Sequence, residues 1–457
     1  MQVQDQMQQQ DGFTDVGAAR TATERLADHV SGLRFESLPD DVVTKVKELL
    51  LHHLGLAFRG HADPTGQQTL KAAHYLSGSA GSCTVIGEQQ PATVLDAVLA
   101  NSFLMHHLGM DDFVIPPGIH AGILTHPTGL AVGELNHSSG RDYITAVAAG
   151  YDVIITLARV MYPWVLPLPR QPFMLYGPLA SAAVAARLLR LSTLETAHAL
   201  ALAAHGGMGL LEGGVFVPVQ SQVARNGVLA AVLAQSGMTE VPTMIEGKGG
   251  LYSSHVARVP DELEEKLQAL GDEFEVMNVR TKRYLGSGLN IVPMELMLQL
   301  VKARALRAED VARIDVTLPQ DREQREAYRE SKVGKHPAGS LRFLVAGVVS
   351  AGKVDPEGFA RDRDKRLDAV LDNVHLHFEP SRQSRYCRIE VTTARGERFA
   401  AEGEDHVFPP IAWDEWLAEG GRQILSAQQL ERLLELVQGL EDVDDLQEVT
   451  RCLAPER

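Results

Sequence analysis

Apolar residues recur every three or four positions from about residue 20 to about residue 265, which is the spacing that places them on one face of a helix. The segment 42–54 shows this spacing clearly, and Gly60 follows it as a candidate helix end. Three later segments are rich in Ala and Leu and contain few Lys or Glu residues: 181–191, 194–207 and 224–237. Helices of this composition are buried on most of their faces. The pattern therefore predicts a helical bundle with a large apolar interior.

The pattern changes near residue 270, where β-branched residues begin to alternate with polar ones. Three segments show this alternation, namely 311–319, 373–380 and 386–403, and an Arg-Gly pair interrupts the last of them as a turn would. After the two prolines at 409–410 the chain again has a helical pattern and is strongly charged. These features predict a small α+β domain followed by hydrated C-terminal helices.

The length of 457 residues also favours two domains, because a single hydrophobic core seldom organises so long a chain. We expect an all-helical domain formed by residues 19–268 and 408–457. A smaller α+β domain is expected between them, over residues 269–407. Residues 1–18 are polar and rich in Gln, so we expect them to form a disordered tail.

Composition narrows the range of partners and compartments. The formal net charge is −16 and the pI is about 5.5, whereas binding to nucleic acid or to an anionic membrane needs a clustered basic face. We therefore expect neither partner. The three cysteines are widely separated and show no C-x-x-C spacing, which fits a reducing cytoplasm better than a zinc site or a disulfide framework. We find no signal-peptide pattern and expect no apolar run as long as a membrane span.

Residues 98–132, VLANSFLMHHLGMDDFVIPPGIHAGILTHPTGLAV, place acids and histidines on Gly- and Pro-rich chain between two apolar helical segments. Polar side chains in such a position typically mark a pocket. The stretch resembles the signature of the 2-methylcitrate dehydratase (MmgE/PrpD) superfamily, which also contains cis-aconitate decarboxylases and iminodisuccinate epimerases. Gly109 stands where that signature has its first acid. The residues in register with the signature are Asn101, His106, Asp111, Asp112, Gly118, His120, Pro127 and Leu130.

Four further segments resemble the same family in the same order: 94–101, 144–153, 176–191 and 224–239. The resemblance implies a mostly α fold, with a large all-helical domain and a smaller α+β lid domain inserted before the C-terminal helices. Relatives of this kind are homodimers that act on a small-molecule substrate without a cofactor. The resemblance thus implies a homodimeric, cofactor-independent enzyme.

The chemistry implied by the resemblance is proton transfer next to a carboxylate or carbonyl group, leading to dehydration, decarboxylation or epimerisation. It needs an acid–base group with a pKa near neutral and a group that stabilises developing negative charge. His120 matches the loop histidine of the family, and Lys282 and Tyr284 match its K-x-Y-P segment. We expect His120 to transfer the proton and Lys282 with Tyr284 to stabilise charge or act as a second acid. Asp112 is a further catalytic candidate.

Other positions depart from the family pattern and lose polar groups. A histidine is replaced by Gln171, a lysine by Phe216 and a threonine by Phe113, while Asn290 is the polar residue nearest to a second missing histidine. We therefore expect a more apolar pocket, which favours a larger and less charged substrate than a tricarboxylate because each buried charge needs a partner. The candidate substrate-binding residues are Asp111, Phe113, Arg170, Gln171, Phe216 and Arg225.

Each candidate also has a structural interpretation. Adjacent acids such as Asp111 and Asp112 often cap helices, Arg225 is as well suited to holding a helix end, and packing or capping is the favoured role for His106 and His107. Two other functions therefore stay open. One is a repurposed cyclase or isomerase in a natural-product pathway, and the other is a homologue that binds a metabolite without catalysis. We find no P-loop, metal-binding or hydrolase-triad motif in the sequence.

Overall fold

The computed structural model describes residues 20–165, 171–207, 209, 221–256, 258–332, 337–355, 358–359, 362–382, 385–406, 408 and 410–456. The predicted disordered tail at residues 1–18 lies outside the described residues, as do the candidates Arg170 and Phe216. The described chain divides into two compact units after Thr281 and after Pro410. The smaller unit begins at Lys282, and the chain returns to the larger unit at Ile411.

Residues 269–281 belong to the larger unit, although the sequence pattern placed them in the smaller domain. The backbone N–H of Glu275 donates to Asp152 at 2.8 Å, and the Glu275 carboxylate forms an ion pair with Arg159 at 2.9 Å. Both contacts join segments more than 100 residues apart in the chain. The alternation of apolar and polar residues along a segment carries no information about contacts with distant segments, so it could not assign residues 269–281 to the larger unit.

Helices form the larger unit up to residue 281. The side chains of Thr21, Thr93 and Ser192 accept hydrogen bonds from first-turn N–H groups and so fix the start of three of them. In chain order the helices are α1 (Ala22–Gly32), α2 (Asp40–Ala62), α3 (Pro64–Ser77), α4 (Val94–His106), α5 (Gly122–Leu135), α6 (Gly140–Val165), α7 (Pro172–Leu188), α8 (Thr193–Ala204), α9 (Gln222–Gln235), α10 (Leu251–Val256) and α11 (Glu262–Gln268).

Helix α6 contains an apolar stretch, Gly140–Tyr162, that is long and apolar enough to cross a membrane. We expected no such stretch from the sequence. Its most apolar window is 94% buried against the rest of the protein. Packing in the interior of the helical unit therefore accounts for its composition, as it does for other core helices.

The smaller unit combines helices with a four-stranded sheet in the order β2-β1-β3-β4. Strands β1 and β2 are parallel, and the other two pairs are antiparallel. Gly396, with φ of +82°, forms the predicted Arg-Gly turn between β3 and β4. The elements are α12 (Gly288–Arg304), β1 (Val311–Pro319), α13 (Glu323–Ser331), α14 (Leu341–Ala351), α15 (Lys365–Leu371), β2 (Val374–Glu379), β3 (Cys387–Thr393) and β4 (Arg398–Gly403).

Helices α16 (Trp413–Gly421), α17 (Ala427–Gln438) and α18 (Gln447–Arg451) complete the larger unit. The two units have separate hydrophobic cores. The predicted fold class, mostly α with a small α+β region, is confirmed.

Candidate active site

The loop between α4 and α5 carries the acids and histidines that the sequence analysis singled out. His106 ends α4 and Gly122 begins α5. Within the loop, Gly109 and Gly118 have φ values of +63° and +82°, a region that glycine enters without strain. Gly109, which replaces an acid of the family signature, thus supports a turn of the backbone. The loop folds back and brings His120 to acids eight and nine residues earlier.

One ring nitrogen of His120 lies between two acceptors. Its Nδ1 is 2.7 Å from the backbone carbonyl oxygen of Asp112 and 3.0 Å from Oδ2 of Asp111. A carbonyl and a carboxylate only accept, so Nδ1 carries the proton and Nε2 holds the lone pair of the neutral ring. The side chain is 20% exposed. His120 therefore has a nitrogen suited to taking up or delivering a proton.

Asp111 is fully buried and lies between two histidines. Its Oδ2 is 3.2 Å from Nδ1 of His106 and 3.0 Å from Nδ1 of His120. The ring of Phe173 packs edge-on against both imidazoles, with centroid distances of 5.4 Å. His106 thus belongs to the same cluster as His120, whereas the sequence favoured a packing role for it. Phe173 was missed, because nothing in the local sequence distinguishes it from a core residue of α7.

The carboxylate of Asp112 binds groups of the protein interior. The N–H of Gly122 lies 3.1 Å from each carboxylate oxygen, the Tyr151 hydroxyl donates to Oδ2 at 2.8 Å, and Nε2 of His53 is 3.4 Å from Oδ1. Asp112 was predicted to be catalytic. Its carbonyl contacts Nδ1 of His120 and its carboxylate binds interior groups. A catalytic role for Asp112 stays a prediction.

Asp112 and His53 form a buried ion pair. Burial acts to raise the pKa of Asp112, but the positive charge of His53 and the hydrogen bonds from His53 and Tyr151 together lower that pKa. Burial likewise acts to lower the pKa of His53, but the charge of Asp112 raises it. Nδ1 of His53 also donates to the carbonyl of Leu49 at 2.7 Å. Both ring nitrogens therefore face acceptors, as they should in a protonated imidazole.

A row of hydrogen bonds leads from Tyr143 to Asp112. Tyr143 lies 2.8 Å from Nδ1 of His126, whose Nε2 lies 3.3 Å from the Tyr151 hydroxyl, and Tyr151 donates to Asp112. Burial, together with the charge of His53, holds the pKa of His126 well below its usual range, so that ring is neutral. The donors can then all point the same way, from Tyr143 towards the carboxylate.

Replacing Gly122 with alanine should disrupt this interior network. A Cβ atom there would lie 2.2 Å from Cε1 of His53 and 2.8 Å from the Tyr151 hydroxyl, so the rings must move. We expect a loss of about 1–3 kcal/mol of unfolding free energy, as for other overpacked cores. Gly32→Ala is the matched control, since a Cβ there meets no heavy atom within 4 Å. Urea unfolding of both variants checks this, and equal stabilities would contradict the packing argument.

His52 should make the fold less stable in acid. Burial and the charge of His53 lower the pKa of His52 to about 3, so between about pH 6.5 and pH 3 only the unfolded chain binds this proton. Stability is then lost as the pH falls, by about 1.4 kcal/mol per pH unit. His52→Gln keeps a donor for the Met110 carbonyl, which Nε2 of His52 approaches to 2.9 Å.

The test of His52 compares urea unfolding at pH 8 and pH 5. From pH 8 to pH 5, the wild-type protein should lose about 2 kcal/mol more stability than His52→Gln does. Equal losses in the two proteins would show that the folded state protonates this ring as readily as the unfolded chain.

Two cations near the acid pair were not singled out from the sequence. Lys45 on α2 is half-buried, and its burial lowers the pKa of the amine, while Glu48 and Asp112 act to raise it and Arg280 to lower it. The backbone of Arg280 pairs with that of Phe113 through hydrogen bonds of 2.8 and 2.9 Å. The sequence did contain a signal for Lys45, because Lys45, His52 and His53 are spaced to lie on one face of α2.

The other described candidates of the larger unit do not all lie beside the acid pair. Phe113 is buried beside the acids, and Gln171 precedes α7, two residues before Phe173. Arg225 pairs with Asp96 at 3.6 Å, in the first turn of α4. That turn is roughly 15 Å along the helix from His106, by the rise per residue. The structure thus brings Phe113 to the acid pair but places Arg225 at a helix end.

Lys282 and Tyr284 lie in the smaller unit. Lys282 is 2% exposed, and its Nζ lies 3.4 Å from the carbonyl oxygen of Gly286. The hydroxyl of Tyr284 donates to Glu295 at 2.9 Å. Burial and the neighbouring Glu295 carboxylate raise the pKa of Tyr284. Tyr284 therefore keeps its proton at neutral pH and is suited to donating rather than accepting one.

Within the part of the chain that the structure describes, no group of three or more His, Cys, Asp or Glu side chains is arranged to hold a metal ion. The histidines of the larger unit are instead engaged with carboxylates, carbonyls and hydroxyls. The chemistry that this arrangement offers is proton transfer by an imidazole beside a carboxylate.

Comparisons with known proteins agree with the loop signature. The human protein named cis-aconitate decarboxylase is 25% identical over an alignment of 471 positions, which covers 95% of each chain. The cis-aconitate decarboxylase of Aspergillus terreus is 26% identical over 301 residues, or 63% of this chain and 61% of the relative. The cis-aconitate decarboxylase-like protein oryM of Aspergillus oryzae is 26% identical over 286 residues. That match spans 59% of each chain, so it leaves about two fifths of this relative uncovered.

Residues 24–263 match the family described as the MmgE/PrpD N-terminal domain. The match contains the acid and histidine loop, α2 with its interior histidines, and α6 with the tyrosines that bind them. It covers more than half of the 457 residues. The protein therefore belongs to the MmgE/PrpD family.

Proposed function

We propose that the protein is a cofactor-independent lyase that acts on a small organic acid through proton transfer by His120. The observation that carries this proposal is the placement of Nδ1 of His120 between the Asp112 carbonyl and the buried Asp111 carboxylate. This placement fixes the tautomer and leaves Nε2 as the reactive nitrogen.

Asp111 contributes negative charge at the protonated side of the ring. When Nε2 takes a proton from the substrate, the imidazolium that forms lies 3.0 Å from the Asp111 carboxylate and is stabilised by it. The same contact keeps the ring oriented when the proton is delivered again. His106, on the other side of Asp111, holds the carboxylate in place.

The relatives that are named cis-aconitate decarboxylases support an organic acid as substrate. In such a reaction the carbon–carboxylate bond breaks and carbon dioxide leaves. The carbon that keeps the electron pair then takes a proton from Nε2 of His120, which has first taken up that proton from solvent or from the substrate. Lys45, in the larger unit, provides positive charge that interacts with Asp112, and the charge of Arg280 acts on Lys45 in turn. Positive charge here favours an anionic substrate. Dehydration and epimerisation would use the same histidine.

Proton NMR in D2O tests the proposal directly. The full-length protein is incubated with cis-aconitate, 2-methylcitrate, citrate and iminodisuccinate, and both product formation and deuterium uptake at acidic C–H positions are followed. We expect one of these acids to react or exchange, and we expect His120→Asn to abolish the signal. If no acid reacts or exchanges with the wild-type protein, the proposal is wrong. A cyclase or a metabolite-binding role would then be the better interpretation.

A homodimeric state and a cytoplasmic location remain predictions. Light scattering of the purified protein, measured after size-exclusion chromatography, tests the first. A mass twice the 49.8 kDa of one chain is expected, and a monomer mass would contradict it.

A further inference from the structure

The ring of His120 contacts two consecutive residues of its own loop. Its Nδ1 lies 2.7 Å from the carbonyl oxygen of Asp112 and 3.0 Å from Oδ2 of Asp111. Two residues after His120, the N–H of Gly122 lies 3.1 Å from each oxygen of the Asp112 carboxylate. Asp112 therefore binds the chain on both sides of His120. A shift of the backbone at Asp111 and Asp112 would move both acceptors of the ring nitrogen.

Short backbone contacts hold the loop together between Asp112 and His120. The N–H of Val114 donates to the carbonyl of Ile119 at 3.0 Å. The N–H of Gly118 donates to the carbonyl of Val114 at 2.7 Å. Ile119 directly precedes His120 and Val114 lies two residues after Asp112. The position of the His120 ring is therefore coupled to the position of Asp112 through the backbone as well as through the ring nitrogen.

Two helices of the larger unit bind the Asp112 carboxylate from the protein interior. Nε2 of His53, on α2, lies 3.4 Å from Oδ1, and the hydroxyl of Tyr151, on α6, donates to Oδ2 at 2.8 Å. His53 and Tyr151 are fully buried. Together with His120 and Asp112 they belong to the larger unit. These two side chains therefore contact the loop of His120 from behind, on the side away from solvent.

His53 and Tyr151 are themselves held by hydrogen bonds inside the helical unit. Nδ1 of His53 donates to the carbonyl of Leu49 at 2.7 Å, one turn earlier on α2. The Tyr151 hydroxyl also lies 3.3 Å from Nε2 of His126, whose Nδ1 lies 2.8 Å from the Tyr143 hydroxyl. A group bound by packed side chains with hydrogen bonds of their own keeps its geometry. The interior thus supplies a fixed support for the Asp112 carboxylate.

We propose that His53 and Tyr151 are positioning residues: by binding the Asp112 carboxylate, they hold the ring of His120 in the orientation in which its Nε2 transfers the proton. The catalytic part rests on the proposed function, whereas the hold on the ring stands on the contacts of the larger unit. Misplacing a reacting group by about 1 Å can lower a rate by about 10²-fold. Loss of either support should therefore slow turnover and leave substrate binding nearly unchanged.

Steady-state kinetics of Tyr151→Phe and His53→Gln, in the full-length protein, test the proposal on the acid that the wild-type protein converts. Tyr151→Phe removes one hydroxyl and keeps the ring, so the core stays filled. We expect kcat to fall at least about tenfold in both variants, with KM within about threefold of the wild-type value. Tyr252→Phe is the matched control, because the fully buried Tyr252 hydroxyl donates to the carbonyl of Leu157 at 3.1 Å instead.

NMR of the protein with nitrogen-15-labelled histidine adds a measurement that needs no turnover. In the wild-type protein the Nδ1–H proton of His120 should give a downfield signal, because it lies between a carbonyl and a carboxylate. The signal is identified by its loss in His120→Asn. Tyr151→Phe and His53→Gln should move it upfield, because both acceptors shift away from the ring. Tyr252→Phe should leave it unchanged.

Three outcomes overturn the positioning role. One is a folded Tyr151→Phe variant with unchanged kcat. Another is a fall in kcat while the His120 signal stays in place. The third is an equal fall in kcat in Tyr252→Phe, because the loss would then reflect general damage to the core. If His53→Gln does not fold, Tyr151→Phe decides by itself.

The two measurements also separate this inference from the proposed function. If turnover depends on His120 while Tyr151→Phe changes neither kcat nor the signal, the positioning role is wrong and the proposed function stands. If no acid reacts with the wild-type protein but the signal moves as expected, the proposed function fails and the hold on the ring stands.

Discussion

Replacing His120 with asparagine is expected to lower kcat by about 10²–10⁴-fold on the acid that the wild-type protein converts, which is the usual contribution of a positioned acid–base group. The asparagine amide can still donate to the Asp112 carbonyl, which His120 contacts at 2.7 Å, so the loop keeps its contact. It has no group that takes up a proton near neutral pH. Substrate binding should change little. Steady-state kinetics and calorimetric titration together separate the two effects.

His107→Asn is the matched control for this experiment. His107 lies at the start of the same loop, but its ring stacks on Phe103 and its Nε2 lies 3.5 Å from Asp63. The same substitution there should leave kcat within a few-fold of the wild-type value. If His120→Asn also stayed within a few-fold while the protein remained folded, another residue would have to transfer the proton.

Replacing Asp112 with asparagine is expected to lower the free energy of unfolding by about 3–5 kcal/mol, the loss typical when one partner of a buried ion pair is removed. The variant leaves the protonated ring of His53, which is fully buried, without its counter-charge. It also weakens the hydrogen bonds from Gly122 and Tyr151, because a neutral acceptor replaces a charged one. Urea unfolding at pH 6 measures the loss.

A second substitution separates the ion pair from general damage to the core. Asp112→Asn combined with His53→Gln removes both charges, so part of the stability lost in the single variant should return. A double variant as unstable as the sum of the two single variants would show that the two side chains do not interact. A single variant within 1 kcal/mol of the wild-type protein would be equally inconsistent with a charged pair at this position.

Local sequence patterns were sufficient for the architecture and for the position of the loop. The helical spacing of residues 42–54 predicted α2, and alternation predicted the strands of the smaller unit, because both patterns depend on neighbours in the chain. The acid and histidine loop was found from residue types and spacing alone. The closeness of Asp111 to His120 follows from a turn of the loop, which Gly109 and Gly118 permit.

The residues that bind the Asp112 carboxylate could not be predicted from local sequence patterns. His53 and Tyr151 bind Asp112 across 59 and 39 residues of sequence, and each looks like an ordinary core residue in its own helix. Asp112 became a catalytic candidate through its match to the family signature, and that match does not reveal that its carboxylate binds interior groups. In the smaller unit, Asn290 likewise accepts a hydrogen bond from Arg322, which is 32 residues away. Spacing rules describe single elements, and these contacts depend on how the elements pack.

The two faces of Asp112 have a practical consequence for changing this enzyme by laboratory evolution. Its carbonyl contacts Nδ1 of His120, the histidine proposed to transfer the proton, while its carboxylate is bound by His53 and Tyr151. We therefore expect an exchange of either interior partner to move the Asp112 peptide and, with it, the ring of His120. A mutant library restricted to residues that contact substrate would miss this control, and one that also varies the anchoring positions would sample reactivity separately from substrate preference.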